Sequence, residues 1–158
     1  MIYGNLEGIP QKIVKQIEKL DHKKSQGNNI ISIDLLKQLC SYSKETGRQL
    51  GLLINRIGVV EYVLIGNYDS IMIPVLSRFK LAPGRLRGLR LIHTHPKGDS
   101  LDHDDMADLA LLRLDSVSAV SINNNGYPNK IDTAYILPPE LEKNETAFGY
   151  LEDNDPYN

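Results

Sequence analysis

The sequence predicts an α/β domain, a single mixed β-sheet with flanking helices. Three observations carry that prediction. The apolar spacing is helical up to about residue 46, turns strand-like from 49, and returns to a helix only near 102–115. The resulting order is helices, a hairpin, two strands, a helix and two strands, which suits one mixed sheet with helices packed on it. The chain has 158 residues, 41% of them hydrophobic and 24% charged, enough for one ordinary domain that needs neither disulfide nor metal merely to fold.

Ile9, Ile13, Val14, Ile17 and Leu20 recur at helical spacing, with Pro10 suited to a first helical position. The polar stretch DHKKSQGNN then reads as a loop. A second helix is expected from Ser32, its N-cap, to about Thr46, with Leu35, Leu36, Leu39 and Cys40 inward and Gly47 as the stop. QLGLLINR and VVEYVLIG form a hairpin through Ile57-Gly58. Its Leu50, Leu52, Ile54, Val60, Tyr62 and Leu64 read as core. Leu53, Val59, Val63 and Ile65 add a second apolar set, so both faces of the sheet are expected to be covered. A short strand is read at IMIPV and an extended loop over 77–89. Strand RLIHTH, loop HPKGDS, a helix over 102–115, strand VSAVSIN, turn NNNGYPN and strand IDTAYIL follow. In the helix, Met106, Leu109, Ala110 and Leu112 read as core. The domain is expected to span 1–137, and Pro138-Pro139 opens an acidic tail or linker over 138–158.

Eighteen Lys and Arg against twenty Asp and Glu give a net charge of −2, which excludes a strongly basic nucleic-acid packaging protein. Cys40 is the only cysteine, so no internal disulfide exists, in keeping with a reducing compartment. No apolar run approaches the roughly 18 residues of a membrane span. MIYGNLEGIP lacks the basic and apolar regions of a signal peptide. A cytoplasmic protein with no membrane partner is expected.

His93-Thr94-His95-Pro96 is the strongest chemical signal. Residues i and i+2 of a strand share a face, so both imidazoles reach one point while Thr94 turns away. Pro96 ends the strand. Asp102 suits the N-cap of the next helix and Asp105 its third position, from which a carboxylate leans back toward the strand end. His93, His95 and Asp105, with water in a fourth place, make an acceptable zinc set of the catalytic type. The plain alternative is that Asp102 and Asp105 cap the helix and complement its dipole, each contributing about 0.3–1 kcal/mol. His103 then stands as an exposed residue or a substitute ligand.

The HTHP strand end, its loop and the acidic helix start resemble the JAMM metal site of the JAB/MPN family, whose domains are cytidine deaminase-like α/β folds and whose active members are zinc isopeptidases. The helix followed by GLLI in a hairpin is also similar to that family's opening. The resemblance implies that His93, His95 and Asp105 are the zinc ligands, with spacing to Asp105 about one residue shorter than usual. Where the family has its acid/base Glu this chain has Arg48, followed by Gln49, and Asp102 stands at the family's Ser. Glu45 and Glu61 are the nearby carboxylates. Metal-assisted hydrolysis needs a group to move the proton of the activated water, so no catalytic residue is assigned.

MIYGNLEGI, GRQLGLLINRIGVVEYVLIG, LSRFKLAPGRLRGLRLIHTHP and DDMADLALLRLD, in that order, resemble the N-terminal extension of HflX-type GTPases over residues 1–137. That resemblance implies a bacterial accessory domain with an interaction or regulatory role, and a GTPase domain of the same polypeptide and the ribosome (large subunit, ribosomal RNA) as its partners. No G-x-x-x-x-G-K-[ST] occurs, so GTP would bind only through a domain absent from this chain. Between Ser70 and Gly98 there is no acid, while Arg78, Lys80, Arg85, Arg87, Arg90 and Lys97 are basic. Arg78, Lys80, Arg85, Arg87 and Arg90 are the candidate RNA contacts, since basic side chains on a Gly/Pro loop can follow a phosphate backbone. A zinc-dependent JAMM-type peptidase and a stand-alone RNA-binding module are the alternatives.

Overall fold

Helical spacing of Val14, Ile17 and Leu20 buries all three, and the chain forms α1 over Gln11–Glu18. Pro10 lies one place outside it. Its carbonyl accepts from the N–H groups of Ile13 and Val14, so it caps the helix instead of opening it. α2 covers Ile33–Thr46 and buries Leu35, Leu36, Leu39 and Cys40 as expected. Ser32 occupies its N-cap, and Gly47 ends it at φ +68, a conformation that suits glycine. Burial pushes the Cys40 thiol up to about 12, which leaves it inert as a nucleophile. The computed structural model describes residues 1–25, 30–71, 88–98 and 100–135, with backbone alone for 108–112. The expected strand residues 72–75, the loop over 77–87 and the tail over 138–158 lie outside it.

The hairpin consists of β2 (Leu50–Ile54) and β3 (Val60–Ile65). Asn55 Oδ1 accepts from the N–H groups of Ile57 and Val59, and Gly58 takes φ +92, which closes the turn. A bulge pairs Leu53 with Tyr62 but Ile54 with Val60. Glu61 is the extra residue, and it breaks the alternation that sequence alone would extend through β3. Val60, Val63 and Ile65 therefore join one core and Tyr62 and Leu64 the other.

β1 (Ile2–Gly4) was not anticipated. It lies parallel to β3, with Ile2 opposite Val63 and Gly4 opposite Ile65. Three residues are too few to display a period. At Gly4 a Cβ would fall 1.8 Å from the Ile65 carbonyl oxygen at φ +126, so only glycine fits. β4 (Arg90–His95) and β5 (Ser116–Ile122) are parallel neighbours joined through α3 (His103–Leu112). β6 (Pro128–Tyr135) starts three residues before its expected position and pairs antiparallel with β5. Among the described residues the sheet has six strands, ordered β1-β3-β2-β4-β5-β6.

Both faces are covered. Ile17, Leu20, Leu36 and Leu39 of the α1 and α2 side pack with Leu50, Leu52, Ile92 and Val120. On the opposite face Leu53, Tyr62, Leu64, Leu91, Val117 and Ala134 pack with Leu114, and with Leu101 just before α3. Met106 is 38% exposed and is not core, contrary to expectation. The side chains of Leu109, Ala110 and Leu112 lie outside the described set. Among the described residues no helix is long and apolar enough to cross a membrane.

Candidate metal centre

β4 sets the site by simple alternation. Leu91 belongs to the α3-side core and Ile92 to the α2-side core. His93 and His95 consequently face α3 and Thr94 faces α2. The Gly98 N–H returns to the His95 carbonyl at 2.9 Å, turning the chain just past Pro96. α3 then starts with a capping box. Asp102 Oδ1 accepts from the Asp105 N–H at 2.8 Å, and Asp105 Oδ2 accepts from the Asp102 N–H at 3.0 Å. The capping role read from the sequence and the leaning carboxylate are both present, because the same side chain performs them.

Asp105 Oδ1 lies 2.8 Å from His93 Nε2, and Oδ2 lies 3.6 Å from His95 Nε2. The imidazoles meet edge to face, with ring centres 4.7 Å apart. One ligand atom from each of His93, His95 and Asp105 lies within 4.8 Å of the others, and this is the one such trio among the described residues. His93 and His95 are each 1% exposed and Asp105 is 4% exposed. Neither nitrogen of His93 has a hydrogen-bond partner, although Nε2 touches the carboxylate. A buried imidazole in that state is costly. A divalent ion at the convergence point would satisfy Nε2, and two imidazole nitrogens plus one carboxylate oxygen are a donor set that can hold a metal ion with a position left open. The residues therefore fit the ion that their pattern implies.

Burial pushes the Asp105 carboxyl up, but contact with His93, the Asp102 N–H and the charge of His95 more than reverse that, so it titrates below the usual carboxylate range. Its contribution to stability is then fully present above the unfolded value, about 3.9, and is lost as pH falls through the lowered folded value. Acid unfolding of the metal-free protein should show this loss, and Asp105→Asn should flatten that limb. An unchanged acid limb in Asp105→Asn would exclude Asp105 as its source.

The other sequence candidates fall elsewhere. Arg48 does not enter the site; its guanidinium donates to the carbonyls of Asn5 and Gly66 at 2.7 and 3.2 Å, and to that of Glu7. Glu45 is exposed on α2, behind the sheet from the histidines, and Glu61 sits at the opposite end of its strand from Ile65, which shares an end of the sheet with His95. His103 is exposed at the first position of α3. Arg90 is half-buried, with its guanidinium on the carbonyls of Ile30 and Asn55 at 2.7 and 3.5 Å. Arg78, Lys80, Arg85 and Arg87 lie outside the described residues.

Two polar pairs escaped the sequence reading. The Ser100 hydroxyl donates to Asp132 Oδ2, tying the loop before α3 to β6. Asp132 is in register with Ala119, and Ala119 with His93, so the three share a face. Ser43 and Thr94 join hydroxyls at 2.7 Å behind the histidines. Nothing in the local pattern marks either pair, because the partners are 32 and 51 residues apart.

Fold and site together define a mixed α/β domain with a buried histidine–aspartate trio able to hold a metal ion. No family model, curated protein or solved structure matches the chain.

Proposed function

We propose that this chain is a zinc-holding accessory domain, JAB/MPN-like in fold, of an HflX-type GTP-binding protein that associates with the ribosome in the bacterial cytoplasm. The observation that carries the metal part is the convergence of His93, His95 and Asp105 at a buried point where His93 Nδ1 has no partner and Nε2 meets the Asp105 carboxylate. Support for the parent protein comes from the ordered run of similar segments over 1–137; GTP itself would be bound by a GTPase domain of the same polypeptide.

A zinc ion held there would polarise a bound water or carbonyl. His93 and His95 would supply two neutral nitrogens from one strand, and the Asp105 carboxylate would balance charge from the helix start. Turnover would also require a nearby base, and Arg48 is engaged by backbone carbonyls where the JAB/MPN pattern has its carboxylate. Interaction or regulation therefore fits better than hydrolysis.

Two measurements test this reading. The purified chain should carry about one zinc that a chelator removes, as a trio of this donor type requires. It should also co-sediment with large ribosomal subunits in a salt-dependent manner, and Arg85→Glu with Arg87→Glu should weaken that binding roughly tenfold or more by reversing two basic charges. Sedimentation that ignores both salt and the charge reversals would remove the basic loop from any ribosomal contact. Hydrolysis of peptide or isopeptide bonds lost in His95→Ala would instead favour the peptidase alternative.

A further inference from the structure

Metal-binding histidines are normally oriented by a hydrogen bond from the ring nitrogen that does not touch the metal. His93 has none at Nδ1, so beyond its contacts with Asp105 and the His95 ring its aim is set through the backbone of β4. The neighbouring residue provides the means. Thr94 is 0% exposed and points to the opposite face, where Ser43, also 0% exposed, meets its hydroxyl at 2.7 Å. The Ser43 hydroxyl donates to the Arg48 carbonyl at 2.6 Å, and the Leu50 N–H donates to Thr94 Oγ1 at 2.9 Å. With the Thr94 hydroxyl donating to Ser43 Oγ, every member of the chain is satisfied. Three elements are thereby tied at one point: the last turns of α2, the start of β2 and the end of β4.

We propose that the Ser43–Thr94 hydroxyl pair is the positioning device of the His93/His95/Asp105 centre, a proposal that rests on the metal reading above. The physical reason is register. A one-residue slip of β4 against β2 would send both imidazoles to the α2 face and bring one of them to Ser43 in place of Thr94. Only the observed register gives Ser43 and the Leu50 N–H a hydroxyl to meet. In that register Gly51 pairs with His93, and a Cβ on Gly51 would come 3.5 Å from the His93 Cβ. The clamp thus holds β2 directly against the first ligand. Ser43 and Thr94 touch no metal; they act through the strand.

The test uses the full chain with Thr94→Val, Thr94→Ser and Ser43→Ala, titrated with Co2+ as a coloured probe of zinc sites. Thr94→Val should bind Co2+ about tenfold more weakly, the scale of supporting interactions at metal centres, with a shifted visible band. Thr94→Ser, which keeps the hydroxyl, should restore both. Wild-type affinity and band in Thr94→Val would overturn the proposal. If Thr94→Val fails to fold by circular dichroism, Ser43→Ala takes its place in each measurement. If the wild-type chain binds no Co2+, the metal reading falls separately, and nitrogen-15 imidazole resonances of the metal-free proteins decide the positioning claim. A His93 signal displaced in Thr94→Val and recovered in Thr94→Ser supports it, and an undisplaced signal overturns it.

Discussion

His93→Ala is expected to take the protein from about one zinc per chain to none at micromolar metal. Losing a supporting partner at a metal centre costs about 10–100-fold in affinity, and losing one of three ligands costs at least the upper end of that. The effect on stability depends on the metal. A zinc ion held only by the folded chain would, at a hundredfold excess over its dissociation constant, contribute about 2.7 kcal/mol. For a domain of this size that corresponds to roughly 5–11 °C in Tm. His93→Ala should lose that increment. Without metal the same substitution removes a buried ring whose Nδ1 is unpaired and whose Nε2 meets the Asp105 carboxylate, so the metal-free Tm should change less than the zinc-loaded one. Equal Tm losses with and without zinc would mean that His93 is only a packing residue. Equal zinc content in the two proteins would end the metal reading.

What the sequence revealed and what it hid follow from the range of each interaction. The Gly47 stop of α2, the N-cap at Asp102 and the placing of Asp105 at the third helical position are local, spanning a few residues, and all are present, while Ser32 holds the N-cap position of α2 without a side-chain capping bond. Alternation along RLIHTH was enough to put two imidazoles on one face. Most of what could not be read is non-local. β1 exists because β3 offers an edge, and Gly4 is required by a carbonyl 61 positions away. The bulge at Glu61 shows only when β2 is laid beside β3. Arg48 marked the absence of a carboxylate, yet its actual task, holding the carbonyls of Asn5, Glu7 and Gly66, involves backbone atoms that no side-chain pattern records. Arg90 is similar. Its charge was visible, but the carbonyls of Ile30 and Asn55 that it serves were not.

Leu52→Ala is expected to cause the largest loss of stability among single core changes near the site, about 3–5 kcal/mol, as for other leucines truncated in tight cores. Leu52 is 0% exposed and lies on β2 between Val63 of β3 and Ile92 of β4. It faces the core shared with α1 and α2. Its strand is flanked on both sides, so the backbone cannot collapse into the vacated space without disturbing two ladders, and the cavity persists. Domains are held by only about 5–15 kcal/mol, so roughly a fifth or more of the total is at stake, and the melting temperature should fall by roughly 6–20 °C. Ile57→Ala, at a side chain 72% exposed in the hairpin turn, is the control and should stay within about 0.5 kcal/mol. Zinc should still raise the melting temperature of Leu52→Ala, because the ligands project from the other face of the sheet. A melting temperature within about 2 °C of wild type, less than 1 kcal/mol in a domain of this size, would place Leu52 outside the core and with it the packing that seats β4.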